Sequence, residues 1–203
     1  MSIFDIFTKN ARKMRIVRNG NQSLRSISMP VGAIDDEVKS LAERMTVTMK
    51  ENEIPGVGLA APQVGVNLRL IVVDTRPDGK SSRKKPPTSP GEMMLNPLMP
   101  VALVNPEILS SSKETECACE GCLSLPGVEG EVTRPKKVLL KAQLLSGEQV
   151  MLECDGLLAR CLQHEIDHLN GILFIDRASE EDRQVAKPMM DEMAKEEARL
   201  AGK

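Results

Sequence analysis

Residues 155–171 read DGLLARCLQHEIDHLNG and contain both histidines of the 203-residue chain. His164, Glu165 and His168 form the pattern His-Glu-x-x-His. Histidines four residues apart lie on one face of a helix, so both rings can reach a single metal ion. A glutamate directly after the first histidine can take a proton from water on that ion. The pattern therefore predicts a metal site with a catalytic base, against the alternative of a chance match on an amphipathic helix.

The flanking residues predict where this helix begins and ends. Asp155 and Gly156 precede the periodic stretch and can cap it, while Asn170-Gly171 can end it in a left-handed turn. Two neighbouring stripes follow at helical spacing: Leu157, Cys161, His164 and His168 on one, and Leu158, Leu162, Glu165 and Leu169 on the other. This mostly apolar surface predicts a dry environment, which makes a carboxylate a stronger base.

A tetrahedral metal needs a third protein ligand besides the two histidines, and the chain offers five cysteines. Helix geometry argues against Cys161, because it lies seven residues from His168, about 10 Å along a helix. It is expected to be a small buried apolar residue. The remaining cysteine candidates are Cys154, Cys117, Cys119 and Cys122.

The cysteine spacing has other interpretations. Cys117, Cys119 and Cys122 could join Cys154 in a structural zinc or iron–sulfur site, but no second Cys-x-x-Cys pair occurs. A disulfide framework is disfavoured, because five is an odd number and no secretory leader is visible. A reducing cytoplasm fits this cysteine usage best, and an organelle is the less favoured location.

The cluster leads into Glu120-Gly121-Cys122-Leu123-Ser124, and further upstream lies Gly56-Val57-Gly58-Leu59-Ala60-Ala61-Pro62-Gln63. With Gln163-His164-Glu165-Ile166-Asp167-His168, these stretches closely resemble the motifs Glu-Gly-Cys-x-Ser, Gly-x-Gly-x-Ala-Ala-x-Gln and Gln-His-Glu-x-Asp-His of the peptide deformylases. The resemblance spans roughly residues 20–178. Three motifs in the family's order are far more specific than any one of them.

The resemblance implies the metal and its ligands. Cys122 would be the third ligand beside His164 and His168. One thiolate with two imidazoles suits a soft or borderline ion such as ferrous iron or zinc. In the family the ion is commonly ferrous iron (Fe2+), which is expected here, with Zn2+, Ni2+ or Co2+ as substitutes.

The resemblance also implies the catalytic groups. Glu165 would act as the general base and then as the acid that protonates the leaving amine. The side-chain amide of Gln63 and the backbone N–H of Leu123 would donate to the developing oxyanion. Glu120 resembles a family carboxylate that pairs with a downstream arginine, here Arg134.

A substrate pocket follows from the same resemblance. Gly56 and Gly58 allow a peptide backbone to approach closely. Val57, Ala118 and Leu157 fall where the family lines its methionine pocket, with plain core packing as the alternative. Some members have an arginine after the cysteine motif that contacts the substrate. This chain has the sequence GVEGE at residues 127–131, so the resemblance does not supply that contact.

Composition narrows the class of protein. The chain is 41% hydrophobic, which at this length predicts one domain with a substantial core. Trp and Tyr are absent and Phe occurs three times, so the core must consist of Leu, Val, Ile, Ala and Met. A formal net charge of −2 argues against DNA binding. No apolar run approaches the roughly 18 residues that span a membrane.

Together with the resemblance, the hydrophobic pattern predicts an α+β fold, with antiparallel sheets packed around the central helix that carries the His-Glu-x-x-His motif. A helix is predicted over residues 35–52. Strands are predicted over residues 68–73, 101–109, 138–144 and 149–153, the second of them interrupted by Asn105-Pro106.

The extent of the resemblance divides the chain into three parts. Residues 1–19 are predicted to be a short basic extension, residues 20–178 the catalytic domain, and residues 179–203 a charged helical tail broken by Pro188. Residues 76–91 carry five basic groups and one acid and are predicted to form a solvated insertion. Contact of this insertion with ribosomal RNA is a further hypothesis.

The implied function is metal-dependent hydrolysis of the formyl group from N-formylmethionine at the start of nascent proteins, releasing formate. The expected partners are the N-formylmethionyl peptide and, transiently, the ribosome. A zinc peptidase is the first alternative, but it usually takes a third His or Glu as ligand and the chain has no third His. A non-catalytic binder is the second, but it would be expected to lack Glu165 or Gln63, and both are present.

Overall fold

The computed structural model describes residues 12–53, 55–76 and 86–201. The predictions for residues 1–11 of the extension and 77–85 of the insertion therefore lie outside the described residues. The helices are α1 (Asp36–Lys50), α2 (Pro90–Leu95), α3 (Gly156–Leu169) and α4 (Glu180–Ala201). The strands are β1 (Gly58–Ala60), β2 (Leu70–Val73), β3 (Val101–Ser111), β4 (Thr115–Cys122), β5 (Leu125–Pro135), β6 (Lys137–Gln143) and β7 (Gln149–Asp155). Within these ranges, no helix is long and apolar enough to cross a bilayer.

Within the described residues, the strands form two antiparallel sheets. The larger has the order β1-β2-β3-β6-β7, and β4 pairs with β5 as a separate hairpin. On β6 the alternation predicted from sequence is observed, because Val138, Leu140 and Ala142 are buried while Lys141 between them is exposed. Strand β7 pairs with β6 in register across the short turn that joins them.

A helix covers each face of the larger sheet, because both faces are apolar. Ile71 and Leu103 belong to the core on the side of α3, together with Leu162 of that helix. Leu70 belongs to the opposite core with Met45 of α1. Each such fully buried side chain contributes about 1.5–3 kcal/mol. The prediction of antiparallel sheets packed around a central helix is confirmed.

The β4–β5 hairpin builds a third core with α4. Leu125, Val128 and Val132 of β5 are buried with Phe174 and with Met193 of α4. The opposite face of the hairpin is solvent-exposed at Cys117 and Cys119. This arrangement holds the end of β4 next to α3.

Strand β3 runs through Asn105-Pro106, so the predicted interruption is wrong. Asn105 has a φ of 49°, and the register with β6 shifts between Val104 and Glu107. The Asn105 side chain bonds both main-chain groups of Val31, at 2.8 and 2.9 Å. The irregular residues are therefore accommodated as a bulge and do not end the strand.

Helix α4 also runs through Pro188, where the sequence predicts a break. Proline removes one helical hydrogen bond, leaving the carbonyl of Gln184 without its N–H partner. Both residues are exposed, so water can solvate that carbonyl. The helix instead buries Ala186, Met193 and Glu197.

The ends of α3 agree with the sequence in position but not in every contact. Asp155 occupies the N-cap position, yet its side chain makes no capping hydrogen bond. It accepts instead from the Thr88 hydroxyl, at 2.7 Å. At the other end, Gly171 has a φ of 72°, the left-handed turn predicted after Asn170.

Candidate active site

Two segments that are distant from α3 in the sequence meet beside it. A short 3-10 turn, Ala61–Val64, directly follows β1 and carries Gln63. The turn forms here because Pro62 fixes its first residues and Gly65, with a φ of 80°, closes it. The hairpin ladder shifts register between Gly121 and Cys122, which places the cysteine at the end of β4.

Cys122, His164 and His168 lie together, where the resemblance places the metal ligands. One ligand atom from each falls within 4.8 Å of the others. Sγ of Cys122 lies 3.3 Å from Nε2 of His168. Two buried atoms close by, Oε2 of Glu165 and Nδ1 of His168, have no hydrogen-bond partner in the described part of the chain. A thiolate, two imidazoles and an unpaired carboxylate oxygen therefore fit one divalent ion and its water.

The surrounding protein groups shift the pKa values of the two imidazoles in opposite directions. Burial disfavours the charged form of His164, but hydrogen bonds with Cys122 and Glu120 outweigh it and raise the pKa of His164 to about 10. Burial, reinforced by the charge on His164, lowers the pKa of His168 well below its ordinary value. The cluster thus attracts one positive charge to its centre, and a divalent ion would replace the proton there.

Glu120 orients the first histidine. Its Oε2 lies 2.9 Å from Nδ1 of His164, which leaves Nε2 of that ring for a metal. Arg134 donates to both carboxylate oxygens, at 2.7 and 2.9 Å, which confirms the predicted pair. Burial would raise the pKa of Glu120, but the hydrogen bonds from His164 and Arg134 hold it well below its usual range.

Three further charged residues complete this network, and sequence reasoning missed them. Arg160 donates to Glu120 at 2.7 Å, and Asp167 accepts from Arg134 at 2.8 Å and from Arg177 at 2.6 Å. Arg160 and Asp167 lie four residues before and three residues after His164, and therefore on the same helix face. That spacing is the signal that could have identified Arg160 and Asp167, whereas Arg177 lies beyond the helix.

Glu165 lies in a dry position beside the ligands. It is 4% exposed, and burial is the main cause that raises its pKa to about 7, against the opposing charges of His164 and Arg134. A Cβ on Gly58 would lie 2.8 Å from Sγ of Cys161 and closer still to the Glu165 carboxylate. Glycine at position 58 therefore leaves room for the Glu165 carboxylate. The pKa of Glu165, near neutrality, suits a general base.

The amide of Gln63 is held in one orientation. Its Oε1 accepts a hydrogen bond from the backbone N–H of Ala60 at 2.8 Å. Its Nε2 therefore faces Sγ of Cys122 at 3.3 Å and Oγ of Ser124 at 3.4 Å. Leu123 lies between these two residues and lines the same cleft.

A cleft of ≈ 710 Å³ opens over the ligands. Val57, Gly58 and Leu157 line it, whereas Ala118 is not among the lining residues in the described part of the chain. Val57 is 43% exposed and Leu157 51% exposed, so plain core packing is wrong for these two. Ala118 is half-buried on β4, opposite Val132.

Part of the predicted N-terminal extension also borders the cleft. Met14, Arg15, Ile16 and Arg18 line one end of it. The sequence analysis treated this segment as a basic extension and gave it no role at the site.

The other cysteines do not belong to the ligand group, although Cys119 and Cys161 line the same cleft. Cys117 and Cys119 are exposed, while Cys154 and Cys161 are buried, the latter as predicted. Burial raises the pKa of Cys154 to about 12. Within residues 12–53, 55–76 and 86–201, the group around Cys122 is the one set of three potential ligands close enough to share an ion. The interpretation as a four-cysteine cluster is therefore wrong.

The chain resembles proteins of one family along most of its length. The family model for polypeptide deformylase matches residues 13–184. A peptide deformylase of Natranaerobius thermophilus is 45% identical over 170 residues, which cover 84% of this chain and 95% of that protein. The crystal structure of peptide deformylase from Thermotoga maritima superposes with a TM-score of 0.69 at 42% identity, covering 83% of this chain and 99% of the other. That of a peptide deformylase from Legionella pneumophila superposes with a TM-score of 0.73 at 38% identity, covering 92% and 98%.

Proposed function

Because the chain belongs to the polypeptide deformylase family, it is a hydrolase that removes the N-formyl group from nascent peptides, and we propose the following roles for its residues. The observation that carries them is the cluster of Cys122, His164 and His168 with the buried Glu165 beside it in an open cleft. Such a cluster provides ligands, a base and access for a peptide within one site.

Cys122, His164 and His168 would hold one divalent ion. Ferrous iron is the proposed ion, with zinc, nickel or cobalt as substitutes that the same donor set accepts. When bound, the ion would polarise the formyl carbonyl and lower the pKa of a water molecule. Glu120 supports this assignment, because its contact with Nδ1 of His164 directs the other ring nitrogen to the ion.

Glu165 would take a proton from the attacking water and deliver it to the leaving nitrogen. The water oxygen forms a bond to the formyl carbon, and the bond between that carbon and the nitrogen breaks. The products are formate and a peptide with a free amino terminus. The pKa of about 7 supports both roles, because the carboxylate can accept a proton and release it at neutral pH.

Gln63 and Leu123 would stabilise the negative charge that develops on the formyl oxygen. The bond from the Ala60 N–H to Oε1 directs Nε2 of Gln63 towards the site, where its present acceptors are Cys122 and Ser124 and the formyl oxygen would take their place. The Leu123 backbone N–H would be the second donor, adjacent to the ligand Cys122. Removing one such preorganised donor typically lowers kcat by about 10²–10³.

The methionine side chain of the substrate would lie against Val57 and Leu157, with the peptide backbone beside Gly58. The exposure of both apolar side chains in the cleft supports this placement, since an unbranched thioether would cover them. Ala118 would support the pocket from β4.

The first experiment is anaerobic formate release from formyl-Met-Ala-Ser by protein loaded with ferrous iron, compared with Glu165→Gln. We expect rapid release by the wild type and a loss of about 10²–10⁴ in kcat for the variant, with one metal per chain in both. Equal release by both proteins would refute Glu165 as the base. No release by a metal-loaded wild type would refute the assignment of the site itself.

A transient contact with the ribosome is proposed through residues 76–91. The support is the local charge of five basic groups and one acid, although residues 77–85 lie outside the described ones. Deleting residues 78–85, which spares the buried helix cap Ser89 and α2, is expected to weaken cosedimentation with ribosomes at low salt more than at moderate salt. Unchanged cosedimentation would refute the contact.

A reducing compartment, the cytoplasm, is the proposed location. All five cysteines are free thiols, and a thiolate ligand such as Cys122 is lost on oxidation. Subcellular fractionation of growing cells, followed by immunodetection of the protein, would test this location. Recovery of the protein in an organelle or outside the cell would contradict it.

A further inference from the structure

The C-terminal helix α4 buries a carboxylate that has no part in the metal site. Glu197 is 3% exposed, although most of the surrounding helix is solvated. A buried carboxylate is costly unless it is paired or hydrogen-bonded. Its partners all come from the segment that precedes a 3-10 turn at Gln22–Arg25. They are the Arg15 guanidinium, Nδ2 of Asn21 at 2.8 Å and the backbone N–H of Arg18 at 3.4 Å.

Neighbouring residues of α4 hold the same segment, residues 13–21. Nδ2 of Asn19 donates to the carbonyl of Met190 at 2.9 Å. Gly20, with a φ of 98°, packs so closely on the helix that a Cβ would lie 2.6 Å from Cα of Ala194. The segment is therefore fixed to α4 by polar bonds and by close backbone packing.

The other side of residues 13–21 bonds the loops that carry the proposed oxyanion donors. The N–H of Val17 donates to the carbonyl of Gln63 at 2.9 Å, and the N–H of Asn19 donates to the carbonyl of Ser124 at 3.2 Å. Ser124 directly follows Leu123. The segment thus lies between the C-terminal helix and the backbones of both donors.

We infer that Glu197 is a positioning residue for the hydrolysis. Through residues 13–21 it holds the backbones at Gln63 and Ser124, and so fixes the two groups that donate to the formyl oxygen. The inference rests on the roles proposed above for Gln63 and Leu123. A displacement of about 1 Å in a catalytic group can lower the rate by about 10²-fold, even when its cause lies far from the reacting atoms. Loosening the buried contacts of Glu197 should therefore lower turnover.

The test compares Glu197→Gln with the matched variant Glu196→Gln in the full-length, metal-loaded enzyme. Gln keeps the size of Glu197 but turns an NH₂ group towards at least one of its donors. Glu196 lies on the surface, and both side chains of its ion pair with Arg18 are 49% exposed, so losing that pair should have little effect. For Glu197→Gln we expect kcat for formyl-Met-Ala-Ser to fall about tenfold, with KM changed less than twofold and metal content unchanged. The amides of Val17 and Asn19 should exchange with deuterium faster, and Glu196→Gln should match the wild type in every measurement.

A purely structural role would give a different result. If Glu197→Gln lowers Tm but leaves kcat unchanged well below that temperature, the inference is wrong. A change in KM alone, or an equal loss in Glu196→Gln, would also overturn it. If Glu197→Gln does not fold, Asn19→Ala tests the inference in its place, because it removes the side-chain bond from Asn19 to Met190. It should lower kcat in the same direction, and unchanged kcat would refute the inference.

A third variant separates this inference from the proposed function. Gln63→Met keeps the side-chain length but removes the amide, and should lower kcat about hundredfold. If it does so while Glu197→Gln leaves kcat intact, only the positioning role fails. If Gln63→Met has no effect, the oxyanion role itself fails and the inference fails with it.

Discussion

At the scale of single residues, Gly58 controls the position of the catalytic carboxylate. In Gly58→Ala the new methyl group would overlap Glu165 and crowd Sγ of Cys161. We predict a fall in kcat of about hundredfold with metal content retained, because the displaced carboxylate no longer serves as base. Gly32→Ala is the control, since a Cβ there meets nothing within 4 Å. Formate release and metal analysis of both variants provide the measurement, and wild-type turnover in Gly58→Ala would contradict the prediction.

The protonation of Glu165 predicts the acid side of the pH profile. Burial raises its pKa to about 7 among the protein groups, and a bound cation would lower it below that value. The base must be ionised, so kcat/KM should rise with pH through an inflection below 7 and level off above it. The profile should lose this inflection in Glu165→Gln. An identical inflection in the variant would show that another group controls the acid side of the pH profile.

At the scale of elements, Arg134 joins the β4–β5 hairpin to α3. It bonds Glu120 of β4 and Asp167 of α3, and all three side chains are buried. We predict that Arg134→Met destabilises the fold by about 3–5 kcal/mol, because both carboxylates lose a buried partner. Chemical denaturation measures the change.

The control for this prediction is Arg183→Met. Arg183 makes a surface pair with Glu180 within α4, where both side chains are more than 40% exposed. Its loss should cost no more than about 0.5 kcal/mol. Equal destabilisation in the two variants would mean that burial of the network contributes nothing.

At the scale of the whole molecule, the metal site adds a further link between the β4–β5 hairpin and α3, besides the buried ion pairs of Arg134. Cys122 belongs to the hairpin, whereas His164 and His168 belong to α3, and only the folded chain brings them within 4.8 Å. An ion that binds only the folded state stabilises it by about 2.7 kcal/mol at a free concentration of 100 Kd. For a chain of this size, we predict a Tm about 5–10 °C higher in the metal-loaded than in the chelator-treated protein.

Cysteine variants check the origin of that gain. Cys122→Ser should abolish the increase in Tm, whereas Cys117→Ser should keep it, because Cys117 is exposed and distant from the ligand group. Calorimetry of both proteins with and without metal is the measurement. A full gain in Cys122→Ser would exclude that residue as a ligand.

The sequence by itself determined the features that depend on local geometry. The placement of His164 and His168 on one helix face follows from their spacing of four, and the inward face of β6 follows from alternation along Val138, Leu140 and Ala142. The family motifs added Gln63 and Cys122, because their order along the chain is specific even though no local rule brings them together.

Only the tertiary structure decided which distant groups meet. Arg160, Asp167 and Arg177 join the network around Glu120 across separations of 10 to 40 residues, and Glu197 reaches Arg15 across 182 residues. The tertiary structure also decided that α4 continues through Pro188, because Gln184 and Pro188 are exposed and water can solvate the carbonyl of Gln184. Periodicity reports which face of an element is apolar, whereas the partners of a buried charge depend on how elements pack, and no local pattern encodes that packing.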